Sequence, residues 1–145
     1  MKNLLPVLII SIIAFSCNKA DNGNGGPFCS ANTSSLATTW KVTAIKYKQS
    51  PSSPEQDYYP MIYSHACEYD NVYVFNSNGN YTYEDRGTQC FPPDNFGGTW
   101  SVSGSALTID GTAAAIQDFN CTSFKLVTNN VFTAGDIFTA TWVKQ

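Results

Sequence analysis

After residue 30 the chain consists of short segments in which apolar and polar residues alternate, separated by turn residues. No stretch there keeps apolar residues at the i, i+3, i+4, i+7 spacing of an amphipathic helix over a dozen positions. Alternation with a period of two is typical of β-strands with one buried face. The pattern predicts eight strands, at residues 39–47, 72–75, 81–83, 98–103, 106–109, 113–119, 124–128 and 137–143. Strands spaced by roughly 8–12 residues are typical of β-sandwiches and β-barrels, so we expect an all-β domain of one of these kinds.

The first predicted strand contains an irregularity. Trp40 and Val42 follow one alternating pattern, whereas Ile45 and Tyr47 follow a pattern that is shifted by one residue. Such a shift is typical of a β-bulge. The segment that follows, residues 49–69, is rich in proline and tyrosine, and we expect an ordered or partly mobile loop there, with a helical turn within residues 57–65.

Residues 1–16 have the composition of an export signal. Lys2 supplies a positive charge, and residues 4–15 form an apolar run that is too short to cross about 30 Å of hydrocarbon. The run ends in Ala14-Phe15-Ser16-Cys17, which resembles a bacterial lipobox. We therefore predict cleavage before Cys17 and lipid attachment at Cys17, which anchors the protein in the cell envelope, with the outer membrane as the expected site. The alternative is a plain cleaved signal peptide.

The remainder of the chain divides into a tether and one domain. Residues 17–27 are rich in glycine and asparagine and contain no large apolar side chain, which predicts a flexible tether. Residues 28–145 have a length suited to a single domain. The formal charge of the whole chain is −3, which gives no basic face for nucleic acid.

The cysteines other than Cys17 indicate a disulfide framework. An exported chain with four such residues, Cys29, Cys67, Cys90 and Cys121, allows three pairings. A structural zinc site is the alternative, but no Cys-x₂₋₄-Cys spacing is present. We therefore expect disulfides rather than a metal site.

A predicted hairpin selects among the three pairings. Asn76-Ser77-Asn78-Gly79 is a turn sequence between two strand-like segments. If Phe75 lies opposite Asn80, then Cys67 lies opposite Thr88 and one diagonal step from Cys90, within reach of a disulfide. We predict a bond between Cys67 and Cys90 and, by elimination, one between Cys29 and Cys121.

Aromatic residues in the predicted strands are the candidate ligand contacts. Each of the three tryptophans follows a threonine in a strand, so the two side chains of each pair face opposite sides of the sheet. The tryptophans either fill the core, which the packing of a small barrel favours, or form the wall of a ligand cavity. The candidate contacts are Trp40, Tyr73, Phe75, Tyr81, Tyr83, Trp100 and Trp142.

Taken together, these segments resemble the lipocalin-like domains of lipoproteins from Bacteroidetes-type bacteria. The matching residues are Leu36 with Thr39-Trp40-Lys41-Val42, the run from Cys67 to Phe75, Asn78-Gly79-Asn80-Tyr81, Cys90, Gly98-Thr99-Trp100-Ser101, Leu107-Thr108-Ile109, Phe124-Lys125-Leu126-Val127 and Thr139-Ala140-Thr141-Trp142. The resemblance covers about residues 28–145. It implies an eight-stranded, antiparallel, up-and-down barrel with an apolar, aromatic interior, and it transfers no catalytic residue. True lipocalins carry Gly-x-Trp on the first strand, whereas Thr38 stands at the glycine position here.

Residues that could carry out catalysis are sparse. The single histidine, His65, falls in the predicted loop and lacks the partners of a catalytic triad. Glu84 and Asp85 are adjacent in the strand-like segment 80–85 around the third predicted strand, so they point to opposite faces and do not converge as a catalytic pair. We expect them to be solvated charges, and we expect no enzymatic activity, no cofactor and no metal site.

Two functions fit these expectations. The first is a lipid-anchored barrel that binds a small hydrophobic or aromatic ligand, and the second is a structural or interaction protein of the envelope with a filled barrel. We expect a monomer whose partners are the membrane and the ligand, not nucleic acid. A connected void of at least about 300 Å³ inside the barrel favours the first function, and a void no larger than one or two water molecules excludes it.

Overall fold

The first and last strands pair with each other and close the sheet into a barrel. The computed structural model describes residues 29–145, and the strands other than β2 follow one another around the barrel in chain order. They are β1 (Thr39–Lys48), β2 (Gln56–Asp57), β3 (Val72–Phe75), β4 (Asn80–Glu84), β5 (Phe96–Ser103), β6 (Ala106–Ile109), β7 (Thr112–Gln117), β8 (Ser123–Asn129) and β9 (Ile137–Lys144). All pairings are antiparallel, and eight residue pairs join β1 to β9. The eight strands other than β2 form the wall.

The structure confirms the eight predicted strands and decides between the two expected architectures in favour of the barrel. It also confirms the bulge in β1, since Val42 lies opposite Trp142 and Ala44 lies opposite Thr141. Thr43 is therefore the extra residue, and it shifts the inward face from Val42 to Ile45. The predicted signal sequence, the tether and the lipid attachment at Cys17 lie outside the described residues.

The predicted register of the β3–β4 hairpin was wrong by one residue. Phe75 lies opposite Tyr81 rather than Asn80. The loop of this hairpin contains three residues instead of two. The N–H of Gly79 donates to the carbonyl of Asn76, and Gly79 adopts a φ of 86°. This left-handed conformation is readily adopted by glycine and makes a three-residue loop with a bulge, which moves the partner by one position.

A short helix closes the lower end of the barrel, the end at which β1 begins. Helix α1 (Thr33–Leu36) is capped by Asn32, whose side chain accepts a hydrogen bond from the N–H of Ser35 at 3.0 Å. Leu36 is fully buried, and its carbonyl accepts a hydrogen bond from Nε1 of Trp40 at 2.8 Å. The sequence pattern did not predict this helix, because four residues are too few for a helical period.

The segment after β1 folds against the upper end of the barrel. It contains β2, helix α2 (Tyr59–Ile62) and a 3₁₀ helix (Ala66–Asp70). Strands β1 and β3 pair through only two residue pairs at the lower end, so the upper part of this edge of β1 needs other partners. The N–H of Tyr58 donates to the carbonyl of Ile45 at 2.8 Å, and the hydroxyl of Tyr59 donates to the carbonyl of Val42 at 3.2 Å. Among residues 29–145, no helix is long and apolar enough to span a membrane.

One disulfide holds each end of the barrel. Cys29 and Cys121 are bonded at the lower end, with 5.6 Å between their Cα atoms. Cys67 and Cys90 are bonded at the upper end, with 5.3 Å between their Cα atoms. These are the two pairings that the sequence predicted. Because a bulged hairpin extends only to Glu84, Cys67 reaches Cys90 from the 3₁₀ helix and not from a continued strand.

A buried carboxylate organises the loop between β8 and β9. Asp136 is fully buried, and its carboxylate accepts hydrogen bonds from the N–H groups of Val131, Phe132 and Thr133 at 2.7–2.8 Å. Burial alone would raise the pKa of Asp136, but these three donors, together with the hydroxyl of Tyr47, lower the pKa below its ordinary value. The ionised side chain therefore supplies acceptors to a loop without secondary structure.

We expect Asp136→Asn to lower the midpoint of thermal unfolding at pH 7 by several degrees, because an amide cannot accept all of these hydrogen bonds. The folded-state pKa of Asp136 is lower than the unfolded value of about 3.9. Its contribution to stability is therefore present above about pH 4 and is lost as the pH falls through the folded-state value. Calorimetry of both proteins between pH 3 and 8 should show a difference that narrows below about pH 4. A difference that is constant across this range would contradict the prediction.

Candidate ligand-binding site

Aromatic rings fill the half of the barrel formed by β3, β4 and β5. The inward side chains of these strands are Tyr73, Phe75, Tyr81, Tyr83 and Trp100. The Phe75 ring stacks on Trp100 with 4.9 Å between centroids, and the Tyr73 and Tyr83 rings lie 4.8 Å apart. Because large rings meet across this half, its interior is packed with side chains.

The half formed by β6 to β9 has smaller inward side chains and contains a cavity. Alternate positions here carry Thr112 and Ala114 on β7, Thr128 on β8 and Ala140 on β9. The cavity has a volume of about 270 Å³. Its wall consists of Leu107, Ile109, Thr112, Ala114, Leu126, Thr128, Phe138, Ala140 and Trp142. The volume is slightly below the expected value of about 300 Å³ and far above that of two water molecules, about 60 Å³.

Trp142 separates the cavity from the filled half. It lies on β9, is 5% exposed and stacks on Phe124 with 5.7 Å between ring centroids. On its other side, the Tyr73 ring lies 4.8 Å from it. The indole ring therefore forms the boundary between the packed aromatic rings and the apolar cavity.

The indole N–H groups of the three tryptophans differ in their partners. Nε1 of Trp40 donates to the carbonyl of Leu36, and Nε1 of Trp100 donates to the carbonyl of Asn76 at 2.9 Å. Nε1 of Trp142 is buried and has no acceptor among residues 29–145. Buried indole N–H groups usually have a hydrogen-bond partner. Trp142 thus has an unused donor and lies in the wall of the cavity.

The structure brings only one of the seven predicted contacts into this cavity. Trp142 lines it, whereas the remaining candidates belong to the packed interior or to the upper end. Trp40 packs edge-on against Phe124 at the lower end, with 4.8 Å between centroids. The candidates that fill the β3–β5 half are Tyr73, Phe75, Tyr81, Tyr83 and Trp100.

The other cavity residues were not predicted, because the sequence analysis selected large aromatic side chains. An interior of aromatic rings leaves little free volume, whereas a run of small inward side chains leaves a void. Ala114 and Ala140 occupy inward positions that the alternation assigns correctly. The useful signal was therefore the size of the alternating residues and not their aromatic character.

The acidic pair at the end of β4 has a structural role that differs from the expected one. Glu84 forms an ion pair with Arg86 at 2.6 Å. Asp85 is buried, which corrects the expectation of a solvated charge, and its Oδ2 accepts hydrogen bonds from the N–H groups of Cys90 and Asp94. The loop needs an internal acceptor for these N–H groups, and this need accounts for the burial of Asp85.

The single histidine is exposed at the upper end. The side chain of His65 is 74% exposed, and its Nδ1 lies 3.5 Å from Oε1 of Glu68. Within the described part of the chain, no group of three or more His, Cys, Asp or Glu side chains is arranged to hold a metal ion.

Comparison with known families agrees with this architecture. A model of the lipocalin-like domain matches residues 36–134, which is more than half of the chain. The chain belongs to the lipocalin-like domain family. Comparisons with curated proteins and with solved structures gave no match.

In this lipocalin-like domain, we expect Ala114→Leu to raise the free energy of unfolding by about 1 kcal/mol, because the added carbons fill part of the cavity. The matched control is Ala113→Leu, since Ala113 is the exposed neighbour on the same strand. Urea denaturation of the three proteins measures the difference. A loss of stability confined to Ala114→Leu would show that the barrel interior has no free volume at this position.

Proposed function

We propose that this lipocalin-like domain binds a small apolar molecule in the cavity between β6 and β9. The observation that carries the proposal is the uneven filling of the barrel, which leaves a void of about 270 Å³ with apolar walls on one side of Trp142. An enclosed apolar cavity of roughly 150 Å³ is large enough for benzene, and the space here is larger and open to solvent on one side. The space is therefore suited to a ligand of one or two rings or a short branched chain.

The polar groups of the wall indicate which apolar ligand fits best. Thr112 and Thr128 carry the hydroxyl groups of the wall, whereas the indole N–H of Trp142 is covered by protein atoms. A ligand oxygen could accept a hydrogen bond from either threonine hydroxyl, and such a bond contributes about 0.5–1.5 kcal/mol. We propose that the preferred ligand is mostly apolar and carries one hydrogen-bond acceptor.

The role that we propose is binding and not catalysis. Glu84 and Asp85 are adjacent in sequence. Glu84 forms an ion pair with Arg86, and Asp85 accepts hydrogen bonds from backbone N–H groups of the following loop. His65 lies at the exposed upper end and pairs with Glu68. These contacts give the charged side chains local structural tasks.

An interaction protein of the envelope is the second candidate function. It is favoured by exposed apolar side chains at the upper end, where Phe91 is fully exposed and Met61 is 66% exposed. Exposed aromatic side chains frequently anchor protein interfaces. This candidate requires no ligand in the barrel, so the two candidates differ in the occupancy of the cavity.

The ligand proposal predicts that 2-acetylnaphthalene binds to the domain and that 2-ethylnaphthalene, which lacks the carbonyl acceptor, binds about 3- to 10-fold more weakly. Quenching of tryptophan fluorescence measures both affinities. We expect Ala114→Leu to weaken both probes by about tenfold or more, because it occupies their space, and Ala113→Leu to leave them unchanged. Native mass spectrometry of the protein from its own host should reveal a co-purifying small molecule.

Two results would exclude this ligand site. One is the absence of binding by both probes, and the other is equal binding to the protein with Ala114→Leu. If neither probe binds and the native protein carries no small molecule, the interaction candidate is favoured.

We also propose that the mature protein is held to the envelope by a lipid on Cys17, with the outer membrane as the expected site. The lipobox-like sequence Ala14-Phe15-Ser16-Cys17 supports this proposal, and two or more acyl chains suffice for stable anchoring. The disulfides Cys29–Cys121 and Cys67–Cys90 support an oxidising compartment.

We expect the full chain, expressed in a Gram-negative host, to partition into the detergent phase of Triton X-114 and to incorporate radiolabelled palmitate. Cys17→Ser should abolish both, because the thioether cannot form. Cys29→Ser is the matched control, since it removes a nearby cysteine that is predicted to carry no lipid. Labelling that persists in Cys17→Ser would contradict the proposed anchor.

A further inference from the structure

A second cleft lies at the upper end of the barrel, between the 3₁₀ helix and the loop that joins β4 to β5. Two adjoining cavities form it, with volumes of about 410 and 170 Å³. Glu68 and Asp94 line both cavities. The two carboxylates therefore stand at the junction of the cleft.

The inner part of the cleft has aromatic walls. Tyr63, Tyr73, Tyr83 and Phe96 line the smaller cavity together with the two carboxylates. The rings of Tyr83 and Phe96 stack with 4.6 Å between centroids. Burial raises the pKa of Tyr63 and of Tyr73, and it raises that of Tyr83 to about 12. The phenols are therefore neutral at physiological pH, and they give this part of the cleft an uncharged aromatic wall.

The carboxylates at this junction have one basic side chain beside them, that of His65. Oε2 of Glu68 accepts a hydrogen bond from the backbone N–H of His65 at 2.8 Å, and its Oε1 lies 3.5 Å from Nδ1 of the exposed His65 ring. No side chain of residues 29–145 forms a hydrogen bond or salt bridge with the carboxylate of Asp94. The walls of both cavities contain no lysine or arginine, and Arg86 pairs with Glu84.

Covalent and hydrogen bonds hold the two sides of the cleft in place. The disulfide between Cys67 and Cys90 links the residue next to Glu68 to the opposite loop. The buried carboxylate of Asp85 accepts hydrogen bonds from the N–H groups of Cys90, at 2.9 Å, and Asp94, at 3.2 Å. The cleft is therefore preorganised, which reduces the entropic cost of binding.

We propose that this cleft binds an organic cation, an amine or a quaternary ammonium compound, between Glu68 and Asp94 and against the rings of Tyr63, Tyr73, Tyr83 and Phe96. Carboxylates attract positive charge, and aromatic faces attract weakly hydrated cations such as quaternary ammonium groups. A divalent metal ion would need several more oxygen ligands than two carboxylates supply. This site is separate from the apolar cavity, so each of the two proposals can fail without the other.

Choline and its uncharged isostere 3,3-dimethyl-1-butanol test the proposal. Isothermal titration calorimetry of the disulfide-bonded domain should detect binding of choline. The neutral compound should bind at least about tenfold more weakly, because it has the same shape as choline but no charge. Methylammonium and tetramethylammonium then separate the two kinds of cation: tighter binding of tetramethylammonium indicates recognition by the rings, and tighter binding of methylammonium indicates recognition by the carboxylates.

Three variants locate the site. Asp94→Asn and Glu68→Gln should each weaken choline by at least about fivefold, and both keep an oxygen acceptor for local hydrogen bonds. Asp118→Asn removes the same charge from the lower end, where Asp118 pairs with Lys125, and should leave the affinity unchanged. Circular dichroism in the near ultraviolet verifies that each variant is folded. Any of three results overturns the proposal. Choline and its neutral isostere bind equally, or none of the cations binds at concentrations up to about 10 mM. The third result is that Asp118→Asn weakens choline binding as much as Asp94→Asn does.

Discussion

The pairing of β1 with β9 is the interaction on which the rest of the structure depends. Eight residue pairs join the two strands, and they remove the free edges that an open sheet would expose. Closure also gives the domain an inside and an outside, so each alternating residue acquires a defined environment. The bulge at Thr43 lets β1 keep Val42 and Ile45 on the inner face despite the change of phase. The upper part of the other edge of β1 is completed by β2 and by groups of Tyr58 and Tyr59.

Unequal side-chain sizes then divide the interior. On β3, β4 and β5 the inner positions carry rings such as Phe75 and Trp100, which stack on one another. On β7 and β9 they carry Ala114 and Ala140, and the barrel wall cannot collapse to fill the remaining space because its strands are fixed by hydrogen bonds. A cavity is the physical consequence, and Trp142 forms its boundary. The proposed ligand site thus follows from a mismatch between a fixed wall and small side chains.

The loops at the upper end depend on buried acceptors more than on regular secondary structure. Asp136 accepts hydrogen bonds from three consecutive N–H groups of one loop, and Asp85 accepts two from another. The disulfide between Cys67 and Cys90 adds a covalent link on the side of Asp85. Such contacts keep irregular backbone in place without a helix or strand. They also hold Glu68 and Asp94 at the junction of the upper cleft, so the proposed binding site there is preorganised.

Local sequence determined the strands and the bulge, because alternation and turn chemistry act over a few residues. The cysteine pairing was predicted correctly, although the hairpin register from which it was derived was wrong. The sequence did not determine the hairpin register, since Gly79 added a loop residue whose conformation alternation does not record. The sequence analysis also assigned the ligand contacts to the aromatic residues, of which only Trp142 borders the apolar cavity.

Which inward side chains meet, and where they leave space, depends on contacts across the barrel between residues far apart in the chain. The burial of Asp85 has the same origin, since its acceptors are needed only once the loop has folded. Tertiary structure alone therefore decided where this protein has room for a ligand, because free volume is a property of the assembled interior and not of any segment.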